Sequence, residues 1–150
     1  MRAVIQRCKY ARVIIDNTVI SSVDYGMMIL LAVEDSDTEE DIDWLVKKII
    51  GLRIFDDKDG VMNLNIQQIN GDIMVISQFT LFASTKKGNR PSYLRSAKPE
   101  FSLPMYEKFI SSLQSAFGRN VSCGRFGADM KTELCNDGPV TIIIDTKLKE

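Results

Sequence analysis

The sequence contains no histidine, which removes the side chain most often used for acid–base and metal chemistry. Catalysis by Ser-His-Asp or Cys-His groups is excluded, as are metal sites built on imidazole. Any reaction must therefore use carboxylates, hydroxyls, lysine, backbone dipoles or groups of the substrate itself. We expect neither a metal ion nor any other cofactor.

Cysteine is also scarce, and the three residues Cys8, Cys123 and Cys135 are an odd number. None has the Cys-x-x-Cys spacing of a zinc or redox site, so we expect buried free thiols in a reducing compartment. No apolar run approaches the ~20 residues of a membrane span, and residues 1–7 lack the apolar core of a signal peptide. The sequence predicts a cytoplasmic protein that does not bind membranes.

The chain lacks a strong net charge, because its formal charge is −1 over 150 residues. A nearly neutral chain has no general attraction for nucleic acid, so any such binding must be local. The length suits a single domain, residues 1–150. A composition of 45% hydrophobic and 26% charged residues is ordinary for a soluble globular protein.

Hydrophobic periodicity predicts a mixed α/β protein with two helices. The first helix follows the capping box Ser36-x-x-Glu39 and ends at Gly51, and the second is capped by Ser102 and ends at Gly118. Strands are expected at residues 2–8, 11–16, 18–21, 26–33, 52–55, 72–83, 121–126 and 140–145.

Two acidic segments have the composition of metal sites, and each has a simpler explanation. Residues 34–43 hold seven acidic side chains, which suit a helix N-terminus because they complement the helix dipole. Residues 56–60 begin like a calcium-binding loop, but Gln68 stands where that loop needs a glutamate. We expect a turn between two strands there.

Polar residues interrupt the strand predicted at residues 72–83. It follows Asn70-Gly71, a dipeptide typical of tight hairpin turns, and its apolar run 73–76 is typical of a strand covered on both faces. Ser77, Gln78 and Thr80 come next, and buried polar groups are costly unless they are hydrogen-bonded. The pattern alone favours neighbouring backbone as their partner, and the alternative is that they face a ligand.

The segment 84–98 carries five cations and no acid: Lys86, Lys87, Arg90, Arg95 and Lys98. Glycine and proline within it predict a loop. The cations form either a solvated rim or a local site for phosphates, and the charge pattern does not choose between them.

The second polar turn is Asn136-Asp137-Gly138-Pro139, just before the last predicted strand. It is either an ordinary turn or a cis Gly-Pro unit that presents two carbonyl oxygens on one side. A cis bond before proline costs only about 0.5–1 kcal/mol relative to trans.

The sequence resembles the D-aminoacyl-tRNA deacylases from end to end. The resemblance rests on residues 1–7, 53–63, 77–81, 88–92, 124–130 and 136–141, which include Ser77-Gln78-Phe79-Thr80 and Asn136-Asp137-Gly138-Pro139-Val140-Thr141. Each motif is short, but six in order over nearly the whole chain are specific. The fold implied is mixed α+β, with mostly antiparallel sheets curled into a barrel-like sandwich and two helices packed on one side.

The resemblance implies hydrolysis of the ester between a D-amino acid and the terminal adenosine of tRNA, by a homodimer with sites at its interface. It assigns an oxyanion hole to the N–H groups of Phe79 and Thr80, and the adenine contact to Phe79. Gly138 and Pro139 enter from the partner in cis form and screen chirality. The resemblance also implies that Ser77 and Gln78 shape the catalytic pocket. We further expect Asn136, Thr141, Met130 and Phe126 in substrate binding, and we expect Lys86, Lys87 and Arg90 of the cation-rich loop in tRNA binding.

Two mechanisms follow from this resemblance. An aminoacyl ester is already activated, so placement and an oxyanion hole suffice for attack by water, assisted by the ribose 2′-hydroxyl. Thr80 as a covalent nucleophile is the rival, and it lacks an evident base. Other possible functions are a non-catalytic tRNA-binding module and a hydrolase of a different small ester. We expect tRNA and a second copy as partners, and no DNA.

Overall fold

The computed structural model describes residues 1–149. Eight strands and two α-helices are found in this part of the chain. They are β1 (Arg2–Ile15), β2 (Thr18–Val23), β3 (Gly26–Ala32), α1 (Glu39–Gly51), β4 (Phe55–Asp56), β5 (Met62–Leu64), β6 (Asp72–Ser77), α2 (Pro99–Phe117), β7 (Ser122–Cys123) and β8 (Lys131–Asp145). A short 3₁₀ helix, Phe79–Phe82, follows β6.

Strand β1 is the centre of the main sheet. β2 and β3 pair antiparallel along one edge of β1, as the registers Ala11↔Val23 and Cys8↔Gly26 show. β8 pairs antiparallel along the other edge. β6 is added parallel to β3, and β7 parallel to β6, while β4 and β5 form a separate hairpin. The sheet curls into a nearly closed barrel, which confirms the predicted mixed fold.

Both helices pack on one face of this sheet, as the resemblance implies. Ile42, Leu45 and Ile49 of α1 and Phe109 and Leu113 of α2 are buried in the larger core cluster. Apolar residues at three- and four-residue spacing place these side chains on one side of each helix. No helix among residues 1–149 is long and apolar enough to cross a membrane.

Strand β6 is covered on both faces, as its apolar run predicts. Ile73 and Val75 lie in the core under the helices, and Met74 and Ile76 lie in a second cluster on the opposite face. This division follows from the alternation of side chains along a strand.

Two local turns match their sequence signals. Asp16 and Asn17 both have positive φ, 49° and 61°, as a two-residue hairpin between β1 and β2 requires. The acidic turn predicted at residues 56–60 joins β4 and β5, where the Asp57 N–H donates to the Val61 carbonyl at 2.8 Å. The Asp57 carboxylate also accepts the N–H groups of Asp59 and Val61.

The predicted helix starts are wrong by a few residues. The N-cap of α1 is Thr38, paired with Asp41 in a capping box, and not Ser36. Helix α2 begins at Pro99, because proline at the first helical position fits the helical φ and has no N–H to satisfy. Ser102 lies inside the first turn, where its hydroxyl donates to the Lys98 carbonyl. Both predicted helix ends, Gly51 and Gly118, are confirmed.

Several predicted strand limits are also wrong. Residues 2–15 form one strand with irregularities near Cys8, and not two strands. The last strand begins at Lys131, nine residues early, so residues 136–139 lie within β8 and not before it. The strands predicted at 52–55 and 121–126 are the two-residue strands β4 and β7. The ends of these strands are set by pairing with strands that are distant in sequence. The local residue pattern carries no information about that pairing.

The prediction for residues 70–83 needs two corrections. Asn70, with φ of 53°, ends a turn in which the Gly71 N–H donates to the Ile66 carbonyl, so it does not form a hairpin. The strand that follows pairs parallel to β3, and a parallel pair cannot be joined by a two-residue turn. The strand stops at Ser77, and residues 79–82 form the 3₁₀ helix.

Candidate active site

A cleft of about 620 Å³ lies at the carboxyl ends of the parallel strands β3 and β6. Ligands of open parallel sheets bind at this end because the loops that leave the strands diverge there. The lining residues come from five segments and include Val33, Ser77, Gln78, Phe79, Tyr93, Ser96, Ser102, Tyr106, Phe126, Asp129, Met130 and Thr132.

The chain leaves the sheet at Gln78, whose N–H donates to the Leu31 carbonyl at 2.8 Å. It then turns at once into the 3₁₀ helix. The first N–H groups of such a helix have no intrahelical acceptor. The N–H groups of Phe79 and Thr80 have no acceptor among the hydrogen bonds of residues 1–149. Two backbone donors are therefore available beside the cleft.

The side chains of Gln78 and Thr80 bond to each other, because the Gln78 amide donates to the Thr80 hydroxyl. Ser77 and Gln78 line the cleft, whereas Thr80 is adjacent to it in the chain and is not part of the lining. Ser77 and Gln78 are thus partly buried around open space.

Aromatic rings form much of the cleft wall. Phe79 is 57% exposed, and its ring meets Tyr93 edge to face with centroids 5.1 Å apart. Tyr106 lies 5.8 Å from Phe126, and its hydroxyl donates to the Val75 carbonyl at 2.9 Å. Burial raises the pKa of Tyr106 well above its usual range, so this hydroxyl stays protonated. It is a structural donor and not a proton carrier.

The segment 124–130 closes one side of the cleft through a sulfur contact. The Arg125 N–H points to the Met130 sulfur at 3.3 Å. Gly124 lies so close to that sulfur that a Cβ at this position would collide with it. The structure therefore brings Phe126 and Met130 to the cleft together with Ser77, Gln78 and Phe79.

The Gly138-Pro139 unit lies away from the cleft of its own chain. Its peptide bond is cis, and both residues are exposed on β8. Gly138 has φ of 113°, a conformation that other residues rarely adopt. Next to this unit, the Asn136 amide donates to the Thr141 hydroxyl at 3.4 Å. The side-chain oxygen of Asn136, Oδ1, is buried without a partner in the part of the chain that the structure describes.

Arg7 holds the base of the Gly138-Pro139 unit, and sequence reasoning assigned it no such role. Its guanidinium, almost fully buried, contacts the Asp137 carbonyl and carboxylate, both at 3.2 Å. It also donates to the Ile54 carbonyl at 2.8 Å and contacts the Asp56 carboxylate at 3.1 Å. The sequence does contain a signal for this role, which is a charged residue within the predicted strand 2–8. A charged side chain that is buried there requires polar or charged partners.

The segment 84–98 projects the three predicted tRNA contacts into solvent. Paired backbone hydrogen bonds between Ser84 and Ser92, of 2.8 and 2.9 Å, close a loop that carries Lys86, Lys87 and Arg90. None of these three is in a salt bridge within residues 1–149. Arg95 differs, because it contacts Glu34 at 3.3 Å and lies over the Phe82 ring.

The cysteines are free, but only Cys8 is fully buried, so the prediction of three buried thiols was wrong for Cys123 and Cys135. Burial raises the pKa of Cys8 to about 11 and raises the pKa of Cys123 as well. Both stay protonated near neutral pH and are poor nucleophiles. Within residues 1–149, no three acidic or cysteine side chains are grouped as metal ligands.

We predict that Gly138→Ala lowers stability by about 1–3 kcal/mol, through an unfavourable φ and a steric clash. A Cβ at residue 138 would lie 2.8 Å from an Arg7 guanidinium nitrogen and 2.9 Å from a Val140 methyl group. Gly118→Ala is the matched control, since Gly118 also has positive φ, 74°, but open space around its Cβ position. Urea unfolding measures both, and an equal loss in the two variants would contradict the clash with Arg7.

Comparisons with known proteins agree with the resemblance. The profile of a family described as D-Tyr-tRNA(Tyr) deacylase matches residues 4–145. A D-aminoacyl-tRNA deacylase of Bacteroides fragilis (strain YCH46) is 62% identical over 150 residues, all of both chains. One from Flavobacterium psychrophilum is 57% identical, also over all of both chains.

Two solved structures share the fold. One, titled c-Myc DNA Unwinding Element Binding Protein, is 33% identical with a TM-score of 0.92, covering 97% of this chain and 98% of that one. The other, a probable eukaryotic D-amino acid tRNA deacylase, is 17% identical with a TM-score of 0.81, covering 95% and 97%. The matched profile and the full-length identities show that this chain belongs to the D-Tyr-tRNA(Tyr) deacylase family.

Proposed function

We propose that the cleft hydrolyses the ester of D-aminoacyl-tRNA and releases a free D-amino acid and tRNA. The observation that carries this proposal is the pair of unpartnered N–H groups of Phe79 and Thr80 beside the cleft. The family supports the same activity, because curated relatives of 54–62% identity are named D-aminoacyl-tRNA deacylases. The chain is thus an ester hydrolase of translation quality control.

The two N–H groups act as an oxyanion hole in this proposal. Attack on an ester carbonyl places negative charge on its oxygen, and fixed backbone donors stabilise that charge without reorganising. Water is the nucleophile, and the ribose 2′-hydroxyl of the substrate orients or activates it. The absence of histidine is then no obstacle, because the ester is reactive and placement supplies much of the rate.

The structure offers little support for Thr80 as a covalent nucleophile. Its hydroxyl oxygen accepts a hydrogen bond from the Gln78 amide, and an amide cannot take up the hydroxyl proton. Nucleophilic hydroxyls need a neighbouring base. Gln78 and Thr80 are better suited to shape the pocket together with Ser77.

The terminal adenosine of tRNA is proposed to stack at Phe79. Its ring is largely exposed, and the edge-to-face contact with Tyr93 fixes its orientation. A flat, exposed aromatic face binds any base by stacking, and the invariant adenine of the tRNA 3′ end needs no further recognition here. Phe126 and Met130, which also line the cleft, contact the aminoacyl group in this proposal.

Chirality is proposed to be screened by the partner subunit's Gly138 and Pro139. In their own chain they are exposed and do not line the cleft, so they are free to reach the cleft of a second copy. Their carbonyl oxygens then occupy the space of an L side chain, while Asn136 and Thr141 support the unit. A D side chain points outward without specific contacts, so many D-amino acids, and glycine in part, are accepted.

An uncovered apolar surface formed by the end of β8 and the residues after it supports the proposed homodimer. Ile143 is 69% exposed and Leu148 is 68% exposed. With Ile142, Trp44 and Leu81 they line a second cleft of about 620 Å³. Apolar surface of this kind on a folded chain marks an interaction site, and a two-fold dimer covers the same patch on both copies.

The loop closed by Ser84 and Ser92 is proposed to bind tRNA phosphates through Lys86, Lys87 and Arg90. The three cations are exposed and free of salt bridges in the described chain, so they lose no partner on binding. The chain acts in the cytoplasm and without a metal ion in this proposal. In this proposal the loop binds tRNA and not DNA, although one similar solved structure is titled as a protein that binds a DNA element.

We predict that purified protein deacylates D-tyrosyl-tRNA at least about a hundredfold faster than L-tyrosyl-tRNA, because an excluded side chain costs binding in the transition state. The measurement is release of labelled tyrosine from the two matched substrates. A protein that binds both tRNAs and releases neither amino acid is a binding module. A protein that cleaves free D-tyrosine esters as fast as the tRNA ester is a hydrolase of small esters.

We predict that the active site is shared between subunits, so two inactive variants complement each other. Thr80→Pro removes a proposed oxyanion donor because proline has no N–H. Gly138→Ala inactivates in this proposal because its Cβ clashes with Arg7 and Val140 and displaces the Gly138-Pro139 unit from the partner's cleft. In mixed dimers one of the two sites is intact, so random mixing restores about a quarter of the wild-type rate. Each variant mixed with itself is the control. Activity that stays at the level of the separate variants would place both groups in one chain's site.

We predict that Lys86→Ala, Lys87→Ala and Arg90→Ala together weaken tRNA binding and flatten its salt dependence. Each lost phosphate contact lowers the slope of log affinity against log salt by about 0.7–0.9. The rate at saturating substrate is retained, since the loop does not touch the reacting ester. Lys131, which is paired with Asp129, is the control cation. Duplex DNA serves as competitor, and an unchanged slope in the triple variant makes the loop a solvated rim.

A further inference from the structure

The Ser96 hydroxyl donates a hydrogen bond of 2.6 Å to the Phe79 carbonyl oxygen. That carbonyl belongs to the same peptide group as the Thr80 N–H, since one planar unit joins the two residues. In a trans peptide the carbonyl and the N–H point in opposite directions. A side chain that fixes the carbonyl therefore also fixes the direction of the N–H.

Ser96 is itself attached to the rigid sheet. The next residue, Ala97, is buried, and its N–H donates to the Val33 carbonyl at 3.0 Å, just after the end of β3. The Ser96 N–H donates to the Tyr93 carbonyl at 3.0 Å, which closes a turn. The hydroxyl is thus presented from backbone that is anchored to the same end of the sheet as the cleft.

The segment 93–96 contacts the 3₁₀ helix at three points. Tyr93 meets the Phe79 ring, Ser96 bonds the Phe79 carbonyl, and Arg95 lies over the Phe82 ring at 5.2 Å. Only the Ser96 contact acts on the backbone of the proposed oxyanion hole. The two ring contacts fix side chains, and neither of them holds the peptide group between Phe79 and Thr80.

We infer that Ser96 is a positioning residue, which sets the direction of the Thr80 N–H through the Phe79 carbonyl. The inference rests on the proposed function, because it gives Ser96 a role in the oxyanion hole assigned there. Although Ser96 lines the cleft, its hydroxyl is donated to the Phe79 carbonyl, so it acts in this inference through the peptide group and not on the ester. Its loss loosens one donor without removing it, so the effect is smaller than the ~10²–10³-fold loss seen when an oxyanion donor is deleted.

The test compares Ser96→Ala with Ser96→Thr and with Ser84→Ala. Threonine keeps a hydroxyl, and Ser84 is a half-buried serine of the same loop whose hydroxyl has no hydrogen bond among the described contacts. With D-tyrosyl-tRNA, we expect Ser96→Ala to lower kcat about tenfold with little change in KM. Ser96→Thr should recover most of that loss, and Ser84→Ala should match the wild type.

The second readout is the amide resonance of Thr80 in ¹H–¹⁵N spectra of the free protein. We expect it to shift or broaden in Ser96→Ala and to stay in place in Ser84→Ala. An unmoved Thr80 resonance, or a wild-type kcat in Ser96→Ala, overturns the positioning role while the wild type remains an active deacylase. If the wild type hydrolyses neither tRNA ester, the proposed function fails instead, and the Thr80 resonance still decides whether Ser96 sets this peptide group.

Discussion

The structure depends on how the parallel pair of β3 and β6 ends. A buried strand must pair its backbone groups, and β6 is buried on both faces, so its N–H and carbonyl groups need β3 and β7. The last bond from β6 to β3 runs from the Gln78 N–H to the Leu31 carbonyl. Beyond it no strand remains to accept Phe79 and Thr80, and the chain closes into a 3₁₀ helix. The free donors of the cleft are a consequence of this strand end.

A second constraint is the buried charge of Arg7. Removing a guanidinium from water is costly, so it must find several oxygen partners. It finds them on two separate segments: Ile54 and Asp56 on one side, and Asp137 on the other. Because this one buried charge needs several partners, it links β8 to the hairpin of β4 and β5. The same bonds fix the backbone just before Gly138, where the proposed chiral screen begins.

Features that depend on neighbouring residues could be predicted from the sequence. Asp16-Asn17 specifies its own turn, Gly118 ends its helix, and the apolar run 73–76 indicates burial on both faces. Asn70-Gly71 failed as a hairpin signal because the next strand pairs parallel to a distant one. The local sequence of residues 136–139 predicts a turn, because nothing in it shows that β1 pairs with the residues on both sides within one strand.

The resemblance predicts the candidate site, whereas the chemistry of its side chains does not. The reason lies in the groups of which the site is made. Its proposed working groups are backbone N–H and carbonyl groups, which every residue type carries. A search for reactive side chains passes over Phe79, whose contribution is a peptide group, and over Gly138, whose contribution is the absence of a side chain. Arg7 and Ser96 do carry informative side chains, but each acts by holding a carbonyl of the main chain in place. When the working groups of a site are backbone groups, the fold determines where they lie. The side chains then determine how firmly each peptide group is held.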